Sequence, residues 1–292
     1  MLSVDVVPSL CKAFMACGRQ ITFVRDTVRT ISNLVNGNPA PPLDQIEPLI
    51  PLLLDSLPLD DEELTTVAFW GLTSIADAAS AEYPFVFSPG LFDALARFLS
   101  QRSPHSIGTL TPAIRLAGSI VSGTDAVVDK FIHSGCLPLY VQYLEHPKQN
   151  IQEETAWGLS NITAGNAAQI DAVVQTGCMP TVIAMVTGPW SEVAREALYV
   201  LSNAMSGGTI ETTKRLLELG VAGAFVVGSG FPDVKAVVAA LQGLQTIIAK
   251  DESTVLGPYK EYLAAVLPHR LGHPLLAPRA TFVIEKLGLC VE

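Results

Sequence analysis

Apolar segments of helical length recur along the chain, and polar side chains return within them at fixed positions. The clearest segment covers residues 154–165, and residues 196–207 repeat its plan. Each begins with Glu, places an aromatic ring three residues later and an Asn four residues after the ring, and closes with a small residue and Gly. Because residues three and four apart share one face of a helix, the acid, the ring and the amide form a polar stripe. The repetition predicts a row of helices that present this stripe to an extended ligand.

The Asn of the stripe has an equivalent in six segments that lie 41 to 45 residues apart. The equivalent positions are Asn33, Ser74, Ser119, Asn161, Asn203 and Thr246. A period of roughly 40–47 residues is typical of HEAT and armadillo repeats. In each period a Gly-rich turn is expected to end the long helix, a short helix such as 167–175 follows, and Gly with a nearby Pro begins another helix. Three helices per period favour the armadillo unit over the two-helix HEAT unit.

The periodicity extends over nearly the whole chain. It predicts an all-α fold, an armadillo-repeat right-handed superhelical solenoid formed by residues 1–292 without a domain boundary. The first repeat, residues 1–36, is expected to be partial. The last repeat, residues 253–292, is expected to be divergent, with helices near 259–267 and 277–287. Loops are expected at 38–42 and 80–90.

Composition narrows the class of partner. The 18 basic and 28 acidic residues give a net charge of −10, which argues against nucleic-acid binding because that requires neutralisation of phosphates. The charge is compatible with a cationic partner, or with acidity that only maintains solubility. The sequence has no run of about 18 uninterrupted apolar residues and no secretory signal at its N-terminus, so no membrane partner is predicted.

The sequence contains no pattern typical of an enzyme. It lacks a phosphate-binding Gly loop, a nucleophile elbow and a Cys/His spacing typical of metal sites, so we predict no catalytic residue, no metal and no cofactor. Its five cysteines include no Cys-x-x-Cys pair, which is typical of reduced thiols in the cytosol or nucleus. Cys136 and Cys178 occupy matching places in successive periods, and we expect both in the core.

Several short segments carry a family resemblance: residues 31–34, 37–42, 69–72, 113–115, 120–125, 157–166 and 202–209. Through them the chain resembles importin α (karyopherin α), the nuclear import adaptor, over nearly its whole length. Residues 280–286 are similar to the tenth repeat of that family, and by register the chain corresponds to about repeats four to ten. The resemblance implies an adaptor that binds basic nuclear localisation signal peptides in the concave groove of the solenoid and shuttles between cytoplasm and nucleus.

The resemblance also implies which partners to expect. The sequence shows no importin-β-binding segment, so importin β is expected as a partner only if a basic segment lies upstream. The repeats that build the major pocket of the family are also not found, which leaves the minor pocket for Lys/Arg-rich cargo peptides. Contacts with the export factor and nucleoporins are implied for the C-terminal repeats.

The minor pocket of the family gives each stripe residue a role. An Asn carboxamide can bond both the N–H and the C=O of a peptide, rings can flank the stem of a Lys or Arg, and rim acids can pair with its charge. Val121 and Asp125 would serve a neighbouring position. The peptide-binding residues implied are Glu154, Trp157, Asn161, Glu196, Tyr199, Asn203, Arg115, Val121, Asp125, Ser160, Trp70 and Asn33.

Some positions depart from the family pattern. Arg29 replaces a Trp, and it should either repel a cationic ligand or pair with an acid. Val67 occupies the rim-acid position of Trp70, and Tyr199 replaces the usual Trp. The alternative assignment for any single repeat is a core ring and a capping Asn. The alternative function is an armadillo scaffold that binds another extended partner, and an enzyme is a third hypothesis.

Overall fold

A computed structural model describes residues 6–16, 20–37, 41–59, 61–78, 89–101 and 106–290. Regular structure in these ranges is helical throughout. The helices group into unit 1, residues 1–140, and unit 2, residues 141–292. The loops expected at 38–42 and 80–90 fall largely outside the described ranges, and the end of the second expected loop is already helical, because a helix begins at Pro89.

Unit 1 is a row of long helices backed by shorter ones. Its helices are α1 (Val6–Ala16), α2 (Ile21–Val35), α3 (Leu43–Ile46), α4 (Ile50–Ser56), α5 (Glu62–Ala78), α6 (Pro89–Leu99), α7 (Ile107–Val121), α8 (Asp125–His133) and α9 (Cys136–Tyr140). The long helix α5 packs between α2 and α7. We call α2, α5 and α7 the ladder helices of unit 1, because they carry the first three equivalent positions of the period.

Unit 2 repeats this arrangement. Its helices are α10 (Gln149–Thr163), α11 (Ala167–Gln175), α12 (Met179–Met185), α13 (Ser191–Gly207), α14 (Ile210–Glu218), α15 (Val221–Ser229), α16 (Val234–Ala249), α17 (Lys260–Val266) and α18 (Ala277–Leu287). Here α13 packs between α10 and α16, and these three are the ladder helices of unit 2. Three helices per period are confirmed for the periods that begin at α10 and α13, as are the short helix at 167–175 and the two helices of the last repeat.

The ladder helices keep one face for the core and leave the other for the stripe. In α13, Leu198, Leu201 and Met205 are fully buried, and a buried aliphatic side chain stabilises the fold by about 1.5–3 kcal/mol. Cys136 and Cys178 are buried as expected, and burial raises the pKa of both thiols. None of the helices in the described ranges has the length and apolar character needed to cross a bilayer.

Side-chain caps fix where several helices begin. Asp61 accepts a hydrogen bond from the Leu64 N–H at the start of α5, and Asp233 accepts one from the Ala236 N–H at the start of α16. Such a cap satisfies one of the N–H groups that a helix leaves without an internal partner. Both aspartates therefore lie at the same end of a ladder helix, one in each unit.

Glycines in the left-handed region form the joint between the two shorter helices of a period. Gly135, Gly177 and Gly220 have φ of 79°, 79° and 89°. Each follows a short helix (α8, α11 or α14) and precedes the next one. Residues with a Cβ rarely adopt this conformation, which is why Gly recurs at this joint.

Candidate functional site

The stripes of α10 and α13 lie on adjacent helices of unit 2. Trp157 and Tyr199 are both half-buried, so each ring presents part of its surface to solvent. Burial raises the pKa of the Tyr199 hydroxyl, and the Glu196 carboxylate adds to that effect. The hydroxyl thus stays protonated at neutral pH, and the two neighbouring rings remain uncharged apolar surfaces.

The amides of the stripes join one helix to the next. The Asn203 Nδ2 donates a hydrogen bond to the backbone oxygen of Ser160, at 3.0 Å. Ser160 itself is buried, and its hydroxyl donates to the Trp157 oxygen at 2.8 Å. Because a carboxamide has two N–H groups and one oxygen, this bond fixes the orientation of Asn203 while leaving capacity for a second partner. Asn161 is half-buried at the equivalent place on α10.

The two rim acids differ in environment. Glu154 is half-buried on α10, whereas Glu196 is buried, with 8% of its surface exposed. The Glu196 Oε1 lies 3.2 Å from the Arg195 Nε. Burial raises the pKa of Glu196, and the pairing with Arg195 opposes this without cancelling it. The direct contact between Glu196 and a ligand stays a prediction.

Three charged residues of this site were not found from the sequence. The Arg195 Nη2 lies 3.7 Å from the Glu153 Oε1 on α10, and its Nη1 lies 3.5 Å from the Asp233 Oδ2 at the start of α16. The signal was present, since Glu153 and Arg195 each stand four residues before a stripe ring, on the same helix face. Rim acids are predicted above only at the position three residues before each ring.

A further bond connects α10 with α13 near this cluster. The Gln149 Nε2 donates to the Glu192 Oε2 at 3.1 Å, and the Ser191 hydroxyl donates to the same oxygen at 3.0 Å. A bond with its own backbone N–H and the bond with Ser191 lower the pKa of Glu192. Glu192 therefore remains ionised and adds negative charge at the N-terminal end of α13.

The remaining predicted residues belong to unit 1. Trp70 on α5 is 44% exposed, and Asn33 on α2 is also exposed. Arg115 on α7 is half-buried, with its Nη2 4.0 Å from the Asp77 Oδ2 of α5. Val121 is buried at the end of α7, and Asp125 is exposed in the first turn of α8.

Arg29 pairs with acids, which was one of the two expected outcomes at this position. Its guanidinium is paired with Glu63 on α5, and its Nη1 lies 3.9 Å from the Asp26 Oδ1 of its own helix. The structure thus brings seven of the twelve predicted residues together on α10 and α13 and leaves five in unit 1. Among the residues described in the structure, no group of three or more His, Cys, Asp or Glu side chains is arranged to hold a metal ion.

Sequence similarity connects this chain with armadillo repeats and with importin alpha subunits. Residues 124–164 match the Armadillo/beta-catenin-like repeat family. The chain is 32% identical over 145 residues to importin subunit alpha-1a of Oryza sativa subsp. japonica, which covers 49% of this chain and 27% of that protein. It is 31% identical over 141 residues to importin subunit alpha-7 of Arabidopsis thaliana, covering 48% of this chain and 26% of that protein. The matched part therefore spans about a quarter of the length of these relatives.

Solved structures of armadillo proteins have the same fold. A designed armadillo repeat protein in complex with the peptide (KR)4 has a TM-score of 0.72 and 21% identity, covering 82% of this chain and 99% of that chain. An engineered protein has a TM-score of 0.75 and 20% identity, covering 97% of this chain and 78% of that chain. These likenesses confirm the all-α armadillo fold class that was predicted from the 41- to 45-residue period.

Proposed function

Because the chain is an importin-α-like armadillo-repeat protein, we propose that unit 2 binds extended Lys/Arg-rich peptides along the stripes of α10 and α13. The observation that carries the proposal is the pair of stripes on two packed helices, with Trp157 and Tyr199 as rings and the Asn203 amide bonded across to α10. The likeness to importin α relatives and to a designed protein in complex with (KR)4 supports the same class of ligand.

The stripe has a partner for each part of such a peptide. The stem of a Lys or Arg would lie against Trp157 or Tyr199, where a cation–π contact contributes about 0.5–2 kcal/mol. The carboxylate of Glu154 would pair with the charged head. The carboxamides of Asn161 and Asn203 would bond the peptide backbone, which in an extended chain has N–H and C=O groups without internal partners.

Residues of unit 1 are also proposed to contact peptide, independently of the stripes of unit 2. Trp70 offers an exposed ring, Asn33 an exposed amide and Asp125 an exposed carboxylate. Arg115 and the backbone of Val121 are included by analogy with importin α. The arginines of this unit make it the weaker surface for a cationic ligand, because like charges repel.

At the level of the cell, we propose a nuclear import adaptor that carries nuclear localisation signals and shuttles between cytoplasm and nucleus. The similarity to importin alpha subunits of Oryza sativa and Arabidopsis thaliana supports this role. Importin β, an export factor and nucleoporins are proposed partners on the same ground. Importin α and armadillo scaffolds are not enzymes, and we propose no catalytic activity for this chain.

A scaffold that binds another extended partner is the second candidate. The pairing of Arg29 and Arg115 with acids in unit 1 favours it, because guanidinium groups suit an acidic partner. A titration with a Lys/Arg-rich peptide and an acidic peptide of equal length, at low and at high salt, separates the two functions. We expect the basic peptide to bind more tightly, and equal binding of both would contradict an import adaptor.

The double substitution Trp157→Ala and Asn161→Ala tests the site itself. We expect at least a tenfold loss of affinity for the basic peptide, because one ring slot and one backbone contact are removed together. Circular dichroism should show little change in helicity. Trp190→Ala is the matched control, since Trp190 precedes α13 and lies outside the stripe. Retained affinity in the double variant would mean that the stripe has only a structural role.

A further inference from the structure

Arg195 lies at the acidic end of the two stripes. It stands four residues before Tyr199 on α13, and its three guanidinium nitrogens face three carboxylates on successive ladder elements. The Nη2 faces Glu153 of α10 at 3.7 Å, the Nε faces Glu196 of α13 at 3.2 Å, and the Nη1 faces Asp233 before α16 at 3.5 Å. A planar guanidinium suits this arrangement because its N–H groups point outward in one plane.

This set of contacts is the one that a basic side chain of a ligand would make. A Lys or Arg of a peptide lying on Trp157 or Tyr199 would seek carboxylates one helical turn away, on the same face. Those carboxylates already surround Arg195, whose side chain is 24% exposed. The internal cation and a ligand cation therefore compete for the same acids.

The acids around Arg195 outnumber it. Glu154 and Glu192 add to the three carboxylates in contact, and burial raises the pKa of Glu153 and of Glu196 even with Arg195 beside them. Without Arg195, three carboxylates that now share one cation would lose it. An uncompensated group of carboxylates in a partly buried position attracts a cation strongly, because water screens it less there than on an open surface.

We propose that Arg195 determines the specificity of the stripes on α10 and α13. Its guanidinium pairs with Glu153, Glu196 and Asp233, where a second basic side chain of the ligand would otherwise bind. The groove then takes a basic residue at the rings and gains little from an adjacent one. This inference rests on the proposed function, since it concerns which basic peptides the stripes select.

Unit 1 supplies a matched control. Arg25 on α2 is paired with Asp61, the capping residue of α5, and its Nη1 lies 3.7 Å from the Glu63 Oε2. Arg25 stands four residues before Arg29, as Arg195 stands four residues before Tyr199. The substitution Arg25→Met therefore removes the same charge from an equivalent pairing, at a place where no stripe ring follows.

The experiment measures the affinity of two labelled peptides for the intact chain. One peptide has a single Lys within a neutral extended sequence, and the other has two consecutive basic residues. For the unaltered protein we expect the second peptide to bind at most about threefold more tightly, which is the effect of one exposed ion pair. For Arg195→Met we expect a gain of about three- to tenfold for the second peptide at low salt, shrinking at high salt.

The controls separate charge from structure. Arg25→Met should leave both affinities as they are, and Arg195→Lys should fall between the unaltered protein and Arg195→Met, because it keeps the charge but loses the fork geometry. Arg195→Gln, which keeps hydrogen-bond donors without the charge, replaces the Met variant if circular dichroism shows that the Met variant has lost helicity.

The outcomes decide between the two proposals. The inference is overturned if the neutral variants of Arg195 bind the second peptide no more tightly than Arg25→Met, or if the unaltered protein already prefers that peptide by more than about threefold. If the unaltered protein shows no preference for basic over acidic peptides, the proposed function fails. A gain in Arg195→Met would then still support the blocking role, and no gain would overturn it.

Discussion

The ladder helices of the two units share one scaffold and differ in the side chains that occupy the ring position of the stripe. In unit 2 these positions are Trp157, Tyr199 and Gln242, whereas in unit 1 they are Arg29, Trp70 and Arg115. The two arginines at these positions each pair with an acid on an adjacent ladder helix, Arg29 with Glu63 and Arg115 with Asp77. The buried face of the ladder helices determines the fold, whereas the stripe face determines which charged or aromatic side chains are presented. The same fold therefore carries stripes of different charge in the two units.

The units also share an ion pair between an arginine of one ladder helix and the capping aspartate of the next. Arg25 and Arg195 each pair with the aspartate that caps the next ladder helix, Asp61 or Asp233. The difference lies in what else the arginine contacts. Arg25 pairs with Asp61 and Glu63 at the start of α5, whereas Arg195 also contacts Glu153 and the buried Glu196. The same ion pair thus stands in an ordinary surface position in unit 1 and at the end of the proposed peptide-binding stripe in unit 2.

The largest expected difference between the units concerns two glycines in the same position of the period, one residue after the ring position. A Cβ at Gly243 would lie 2.5 Å from the Cε1 and Cε2 atoms of the Phe225 ring, whereas a Cβ at Gly71 would lie 3.2 Å from the flexible Leu53 Cδ1. We expect Gly243→Ala to lower the free energy of unfolding by about 1–3 kcal/mol. For Gly71→Ala we expect a change within about 1 kcal/mol, because the helix propensity of Ala offsets the tighter contact.

Urea unfolding followed by circular dichroism measures both effects. The two variants add one methyl group to equivalent helices, so each serves as the control of the other. An equal loss of stability in both variants would mean that the ladder helices of the two units are packed alike at this position.

A smaller expected effect distinguishes the contribution of the helix cap to stability from that of the ion pair at Asp61 and Asp233. Asp233→Ala and Asp61→Ala each remove a helix cap and an ion pair, and we expect each to cost about 1 kcal/mol of unfolding free energy. Asp→Asn at either position keeps a capping oxygen and removes only the charge, so it should cost less than about 1 kcal/mol. Thermal unfolding at two salt concentrations measures this, because only the ion-pair part should decrease with salt. A larger loss in Asn than in Ala variants would contradict the capping role.

The smallest effect is a pH dependence specific to the Arg195 cluster. Burial raises the pKa of Glu196, so the folded chain binds its proton more tightly than the unfolded chain does. Its contribution to stability is complete below the unfolded pKa of about 4.3 and is lost as the pH rises through the folded pKa. We therefore expect the urea midpoint of Glu196→Gln, relative to that of the unaltered protein, to rise as the pH increases from 4 to 7.

Asp233 gives the opposite sign and serves as the control for that measurement. The cap bond with Ala236 is the largest cause that lowers its pKa, and Arg195 adds to it. Asp233 thus stabilises the fold above its unfolded pKa of about 3.9, and this is lost as the pH falls through the folded pKa. The advantage of the unaltered protein over Asp233→Asn should shrink at acidic pH. The same direction of change in both variants would contradict these assignments.

The period of the sequence was sufficient to predict the fold class and the helices. The 41- to 45-residue spacing of the stripe located the ladder helices, and the Gly and Pro signals located the joints, because both depend on local backbone preferences. The bounds of α11 agree with the predicted 167–175. The start of α6 within the expected 80–90 loop could not be read from the sequence, since Pro at the first turn of a helix resembles a loop signal.

The site was predictable in its positions but not in its pairings. Glu196 and Glu154 occupy equivalent places in the sequence, yet only Glu196 has an arginine immediately before it that folds back on it. Whether a long side chain reaches a carboxylate on another helix depends on rotamers and on the distance between helices, which a single sequence does not contain. The bond from Asn203 to the Ser160 backbone was hidden for the same reason.

The glycines in the left-handed region mark equivalent points at which whole repeats could be added or removed. Gly177 and Gly220 turn the backbone in the same way at the same place in consecutive periods of unit 2. A duplication or deletion that runs from one such glycine to the next adds or removes one whole rung. An insertion of one residue within a ladder helix would instead rotate every later ring and amide of that helix by about 100°. Insertions and deletions therefore preserve the alignment of the stripes only when they comprise whole repeats of about forty residues.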